Sequence, residues 1–265
     1  MVVYGMFLGY NCKKHKKNIH KVVNLAGFNT EGRIVGISRG EFADYLIKNG
    51  ASQVGLADLS GVSRNNMNSG VSILLRIPKD VIRSIYDGPN IEYFNQYNAL
   101  NNKLDHLAEL GAQFIRARGY DAVAQATYFV KEFGNHRTEI PHKMVATLAG
   151  LGWIGRSALF VTKKYGSAIR LTSIITNMEL DYGVPITKSI CGDCNRCVKA
   201  CPGKAISGKL WDVDTDRDEL FDPIKCRKKA RQLAKERINK EITLCGKCIE
   251  VCPYTQAYIN SNDEE

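Results

Sequence analysis

Cysteine residues are concentrated in one stretch of this 265-residue chain, and their spacing restricts what that stretch can fold into. Eight of the nine cysteines lie between positions 191 and 252. The first group reads CGDCNRCVKACP, the second reads CGKCIEVCPY, and Cys226 stands alone between them. Two successive x2 spacings followed by x3-Cys-Pro are typical of thiolates that wrap around a polynuclear metal site, rather than of disulfides.

The first group matches the bacterial ferredoxin run, in which three thiolates hold one [4Fe-4S] cluster and the fourth, before the proline, ligates a second cluster. By the same logic, the last cysteine of the second group completes the first cluster, and the isolated cysteine supplies the missing ligand of the second. The predicted ligands of cluster 1 are Cys191, Cys194, Cys197 and Cys252, and those of cluster 2 are Cys201, Cys226, Cys245 and Cys248. Two four-cysteine zinc sites are the alternative, but the spacing favours iron and sulfide.

Charge and hydropathy indicate which kinds of partner and location are compatible with the chain. The formal net charge of +10 is compatible with anionic partners and equally with simple solubility. The N-terminal sequence does not resemble a secretory leader, and no run approaches the roughly 20 apolar residues that span a bilayer, so we expect a cytoplasmic protein. Cys12 and His15 form a Cys-x2-His pair, but without a second pair a partly buried cysteine beside a basic run is the preferred interpretation.

The sequence before the cysteines predicts a mixed α/β domain. Ser38 and Gly50 bracket a predicted helix with Phe42, Leu46 and Ile47 on one face. Apolar residues recur every three or four positions from 93 to 118, which predicts the longest helix. Strands are predicted over 71–78, after Gly119-Tyr120 and from Arg170, and an exposed helix carries Cys226 near its start.

Residues Gly150-Leu-Gly152-Trp-Ile-Gly155 match the Gly-x-Gly-x-x-Gly pattern of dinucleotide-binding loops. That pattern binds a pyrophosphate only where a strand enters the loop and a helix leaves it. Here the flanking sequences predict a helix before the loop and a strand after it, with no clear acidic residue at a strand end about 20 positions on. The glycines therefore permit close backbone approach either to a neighbouring element or to a flat ligand.

The combination of PHKMVATLAGLGWIGRSALFVTKKYG with CGDCNRCVKACPGKAI, an isolated cysteine and CGKCIEVCPY resembles the epoxyqueuosine reductase family, to which reductive dehalogenases are distantly related. The resemblance is specific over residues 141–254 and implies a nitroreductase-like α/β (α+β) cobalamin-binding domain with a C-terminal two-cluster ferredoxin-like module. It stops before the helical-repeat region with which typical members engage tRNA, so we expect a short form. The predicted divisions are 1–185 for the cobalamin-binding-like domain, 186–258 for the cluster module and 259–265 for a frayed tail.

The resemblance also implies site residues. The residues expected against the corrin are Gly152, Trp153, Ile154, Gly155, Ser157 and Arg170. Family members carry an Asp-Ser-Gly-Pro-like motif whose aspartate is the proposed proton donor, and here Thr138 takes that position. Glu139, His142 and Tyr128 are the substitute donors that we consider.

The expected function is an iron-sulfur oxidoreductase in which two [4Fe-4S] clusters pass electrons to cobalamin, and a substrate loses an oxygen or a similar group. The expected partners are a low-potential electron donor such as ferredoxin or flavodoxin, and a small-molecule or nucleoside-type substrate, tRNA being a further possibility. Two alternatives stay open from sequence: an electron-transfer protein that docks a partner enzyme, and a flavin-dependent reductase.

Overall fold

The computed structural model describes residues 39–63, 66–134 and 136–262. The part before the cysteines contains α1 (Arg39–Lys48), β1 (Gln53–Asp58), β2 (Ser69–Arg76), α2 (Lys79–Ser84), α3 (Ile91–Arg116), β3 (Ala122–Ala124), α4 (His142–Leu148), β4 (Trp153–Ile154), β5 (Phe160–Val161) and β6 (Ile169–Thr176). The cysteine-containing part contains α5 (Arg196–Ala200), α6 (Arg217–Leu220), α7 (Pro223–Ile238), α8 (Lys247–Glu250) and α9 (Pro253–Ile259). Cys12, His15 and Ser38 lie outside the described residues.

A four-stranded antiparallel sheet in the order β1-β2-β6-β3 forms the centre of the first part. The central pair runs in register from Ser69 opposite Thr176 to Arg76 opposite Ile169. Seven of the eight β2 residues are buried, as expected for an apolar strand covered on both faces. The three predicted strands are confirmed. We did not predict β1, because Gly55 interrupts its short apolar run; a Cβ there would lie 2.6 Å from Leu151 Cγ, so the glycine lets the loop after α4 pack onto the strand.

The long helix α3 begins where Asn90 caps it, with the Asn90 side chain accepting a hydrogen bond from the Tyr93 backbone N–H at 2.8 Å. Its apolar stripe packs against β6 and β3. The buried residues of the predicted stripe are Tyr97, Leu100, Leu104 and Leu107. In α1 the prediction is partly wrong: Phe42 and Leu46 are fully buried, one helical turn apart, whereas Ile47 is 47% exposed because it is rotated away from that face.

The cysteine-containing part folds back onto the first part and shares its hydrophobic core. The Tyr258 hydroxyl donates a hydrogen bond to the Ile77 carbonyl at 3.0 Å. The Lys79 ammonium donates to the Ser261 carbonyl at 2.8 Å. Ile259 is buried, so the chain is held against the body as far as Ser261. The division near residue 185 stays a prediction. None of the helices in the described part of the chain has the length and apolar character needed to cross a membrane.

Candidate functional site

Short helices and tight turns position the eight cysteines of the module, all of which are free thiols. Cys201 ends α5 and accepts a hydrogen bond from the Ala205 backbone N–H at 3.3 Å. Cys226 lies in the first turn of α7, which begins at Asp222, a carboxylate that accepts hydrogen bonds from two backbone N–H groups at 2.9 Å. These hydrogen bonds fix the local backbone at two of the cysteines, which lie on separate segments.

The pKa shifts of the thiols show which cysteines are neighbours. Burial raises the pKa of Cys197 to about 11, and the next causes are the charges of Cys191, Cys252 and Cys194. Burial also raises the pKa of Cys248 well above its ordinary value, followed by the charges of Cys245, Cys226, Cys197 and Cys201. Cys197 is thus influenced by three cysteines of its own predicted quartet, and Cys248 by three of its own and by Cys197 of the other. The division into these two quartets stays a prediction. Thiols with raised pKa values stay protonated at neutral pH, so iron must displace their protons when a cluster assembles.

A cavity that is partly open to solvent lies between the body and the second quartet. All four cysteines of the second quartet line it, and none of the first quartet does. On the body side the wall includes residues from α3, from the segment after β3, from the start of α4, from the 157–160 segment and from β6. The predicted second cluster site and the body therefore share one cavity, as a site of electron transfer to a bound group requires.

Three cationic side chains line this cavity: Arg170 and Lys143 from the body and Lys229 from α7. Arg170 donates hydrogen bonds to Asn101 Oδ1 from Nε at 3.1 Å and from Nη2 at 2.5 Å, and its guanidinium lies 4.3 Å from the centre of the Tyr97 ring. Lys143 donates to the Ala158 carbonyl at 2.7 Å. Burial, and then the charge of Arg217, lower the pKa of Lys143 to about 8. Lys143 is therefore a group that can hold or release a proton near neutral pH.

The three proton-donor candidates predicted from sequence lie in different surroundings. His142 lines the cavity, with its Nδ1 2.7 Å from the Ser173 hydroxyl. Burial and the charge of Arg170 lower its pKa to about 4, so its imidazole is neutral at pH 7. Glu139 is exposed. Tyr128 is 70% exposed and donates a hydrogen bond to Glu109. Neither Glu139 nor Tyr128 lines the cavity, whereas Lys143, which we did not select from sequence, does.

The glycine loop follows α4 and includes β4, which forms a small β-hairpin with β5. The predicted order of helix, loop and strand is confirmed, which removes the dinucleotide-binding interpretation. Of the six residues expected against a corrin, only Ser157 and Arg170 line the cavity. A Cβ on Gly152 would overlap the Val161 carbonyl oxygen, and one on Gly150 would overlap that of Val184. For these two glycines the structure supports close approach to neighbouring backbone.

Further cavity residues were missed by sequence reasoning. They share a polar or aromatic group that faces the cavity, and they comprise Tyr93, Tyr97, Asn101, Asp105, Gln125 and Thr127. Asp105 is fixed by the Thr127 backbone N–H, which donates to Oδ1 at 2.8 Å. No local motif identifies these residues, because they lie on the packed stripe of α3 and after β3, where the pattern indicates only a core position.

Comparison with known proteins supports the same interpretation. Residues 190–255 match the family model described as a 4Fe-4S double cluster binding domain. Among curated proteins, an epoxyqueuosine reductase from Synechocystis sp. is 32% identical over 125 residues, which is 47% of this chain and 43% of that protein. The chain thus matches less than half the length of this relative.

Two solved structures have the same fold at low sequence identity. An epoxyqueuosine reductase bound to an epoxyqueuosine-modified tRNA stem loop superposes with a TM-score of 0.54 and 20% identity, covering 83% of this chain and 66% of that one. A reductive dehalogenase, for which B12-dependent dehalogenation is described, superposes with a TM-score of 0.62 and 21% identity, covering 80% of this chain and 30% of that one. The chain therefore carries a double [4Fe-4S] cluster-binding domain, resembles the epoxyqueuosine reductases over nearly half its length, and has the fold that they share with reductive dehalogenases.

Proposed function

We propose that this chain is an iron-sulfur reductase that takes a cobalamin into the cavity and removes an oxygen, or a similar group, from its substrate by reduction. When bound, the clusters supply single electrons and the corrinoid supplies a strongly reducing metal centre. The observation that carries the proposal is the shared wall: Cys201, Cys226, Cys245 and Cys248 line the same cavity as Tyr97 and Arg170 of the body.

The residues present fit both groups. Eight free cysteines, divided as predicted into two sets of four, would supply the donor set of two [4Fe-4S] clusters. The cavity wall combines the aromatic rings of Tyr93, Tyr97 and Phe160 with amide and hydroxyl side chains such as Gln125 and Ser157. A flat macrocycle with amide substituents needs that combination of apolar and hydrogen-bonding surface. The fold relative with described B12-dependent chemistry supports the same cofactor.

The chain's own residues then position charge and protons. Asn101 and the Tyr97 ring hold Arg170 in one orientation, so its charge is fixed at the β6 side of the cavity. Reductive release of an oxygen as water consumes two electrons and two protons. We assign the holding of one of these protons to Lys143 Nζ, because its pKa of about 8 leaves it largely protonated at pH 7 yet able to release the proton. His142, neutral at that pH, can accept a hydrogen bond but has no proton in excess to give.

The proposed substrate is a small molecule or a nucleoside, free or within tRNA, since a solved fold relative was crystallised with a modified tRNA stem loop. The proposed electron donor is a low-potential carrier such as a flavodoxin or ferredoxin. The basic helix α7 borders the cavity through Cys226, Lys229 and Ala230, so a polyanionic substrate at the opening would meet positive charge.

The test uses the full chain, purified and reconstituted without oxygen. We expect about eight irons per chain and binding of added cobalamin, followed by visible absorption and by EPR of the cobalt. With reduced flavodoxin, the protein should convert an epoxyqueuosine-containing tRNA stem loop or the free nucleoside, as measured by mass spectrometry. Unchanged cobalamin spectra at full iron content would contradict the proposal. Flavin bound in the same preparation would instead support a flavin-dependent reductase.

A further inference from the structure

Trp153 carries a buried hydrogen-bond donor without a partner among the described residues. The side chain is fully buried, and its indole Nε1 has no acceptor within hydrogen-bond distance. Buried N–H groups in folded proteins are nearly always satisfied, and an exception indicates an acceptor that belongs to a bound group or an ordered water. The position of the ring identifies which group is near.

The β4–β5 hairpin has two faces. Ile154 pairs with Phe160, which lines the cavity, and Trp153 pairs with Val161. Because side chains alternate along a strand, Trp153 and Gly155 share the second face. A Cβ placed on Gly155 would lie 2.9 Å from the Val161 side chain and 3.5 Å from Cys191 Sγ. The face that carries Trp153 is therefore turned toward the first cysteine quartet, not toward the cavity.

A second contact leads to the same quartet. The Trp153 ring meets the Tyr254 ring edge-on, with centroids 4.9 Å apart. Tyr254 follows Cys252 by two residues, at the start of α9. The indole thus lies between the hairpin that approaches Cys191 and the segment that carries Cys252, both of which are predicted ligands of cluster 1.

We propose that the Trp153 indole N–H donates a hydrogen bond to a sulfur of the first [4Fe-4S] cluster and thereby raises its reduction potential. The inference rests on the assignment of Cys191, Cys194, Cys197 and Cys252 to that cluster, and it is independent of cobalamin. A donor directed at sulfur stabilises the reduced cluster, which carries one more negative charge, more than the oxidised one. Trp153 acts here as a positioning residue that sets the energy of an electron before it passes to the second cluster at the cavity.

The test is a redox titration of the reconstituted full chain, followed by EPR, for wild type and Trp153→Phe. Phenylalanine keeps an aromatic ring and removes the N–H. We expect the midpoint potential of one cluster to shift to a lower value, while the other cluster stays unchanged and iron content stays at the wild-type level. Ile154→Val is the matched control, because it lies on the same strand and faces away from the first quartet, and it should leave both potentials in place.

A second measurement does not depend on the stability of a position-153 variant. In a Trp211→Phe background, [15N]indole-labelled tryptophan marks Trp153 alone, since the chain has two tryptophans. Pulsed EPR of the reduced protein should show a 15N coupling in one cluster signal, the signal that Cys191→Ala removes. Equal potentials in wild type and Trp153→Phe at full iron content, or the absence of any 15N coupling, would overturn the proposal. Loss of iron from Cys191→Ala without a change in that EPR signal would instead overturn the ligand assignment.

Discussion

The two predicted cysteine quartets have similar local sequences and different surroundings. The first is bordered by the exposed loop residues Gly192 and Asp193 and by the hairpin face that carries Trp153. The second lines the cavity, together with residues of the body that lie far away in sequence. The difference teaches that cysteine spacing fixes where a cluster can form, whereas the surrounding fold decides which cluster can exchange electrons with a bound group.

Removal of one cysteine ligand should have the largest effect, because it should abolish one cluster and leave the other in place. Cys226→Ala takes one thiolate from the second quartet, so we expect iron to fall from about eight to about four per chain, with one EPR signal retained. Cys191→Ala should remove the other signal. If both signals and the iron content survive Cys226→Ala, the assignment of Cys226 is wrong.

Alanine substitutions at two glycines compare how tightly the backbone is packed in the body hairpin and in the module loop. In Gly152→Ala the new Cβ would overlap the Val161 carbonyl oxygen. Because the backbone would have to move to relieve this overlap, we expect the free energy of unfolding to fall by about 3 kcal/mol. Gly192→Ala meets nothing within 4 Å and carries only the strain of φ +53°, which is worth about 1 kcal/mol. Denaturant unfolding of the metal-free chains measures both. Equal losses would show that the hairpin is not tightly packed.

His142, on the body side of the cavity, should make the stability of the protein decrease as the pH is lowered. Its pKa is lowered from 6.5 to about 4, so between these values the unfolded chain binds a proton that the folded chain does not. Stability is therefore complete above about pH 6.5 and decreases as the pH falls toward 4, by about 2 kcal/mol between pH 7 and pH 5. Denaturant unfolding of wild type and His142→Gln over that range checks it, and the variant should lose most of this slope.

The ion pair between the body and the module gives the smallest expected effect. Arg137 contacts Asp216 at 2.9 Å and Asp218 at 3.0 Å, and both carboxylates are substantially exposed. Arg137→Gln should therefore cost about 1 kcal/mol or less, and 1 M salt should remove much of the difference. Arg118→Gln, which breaks the exposed pair with Glu41 inside the body, is the control. A larger effect from Arg137 would show that the two parts are coupled through this contact.

Prediction from sequence succeeded where the pattern is local. The periodic stripe of α3, the three apolar strands and the helix that carries Cys226 follow from short-range spacing and appear at the expected positions. Prediction failed where packing sets the outcome. The Gly152-to-Gly155 segment includes the two-residue strand β4, paired with β5, a contact that no propensity over so few residues can specify. Lys143 was passed over because its importance comes from burial beside a cavity, not from a motif.

The sequence by itself determined the chemistry of the module. Thiols that wrap one cluster must follow one another within a few residues, so the ligand spacing is written directly in the chain. Only the tertiary structure decided the rest of the site. Tyr97 and Arg170 join the second quartet because antiparallel pairing brings β6 beneath α3 and the module folds back across both. Such contacts join residues far apart in sequence, and they form only when burial of the common core compensates the entropy of closing those long loops.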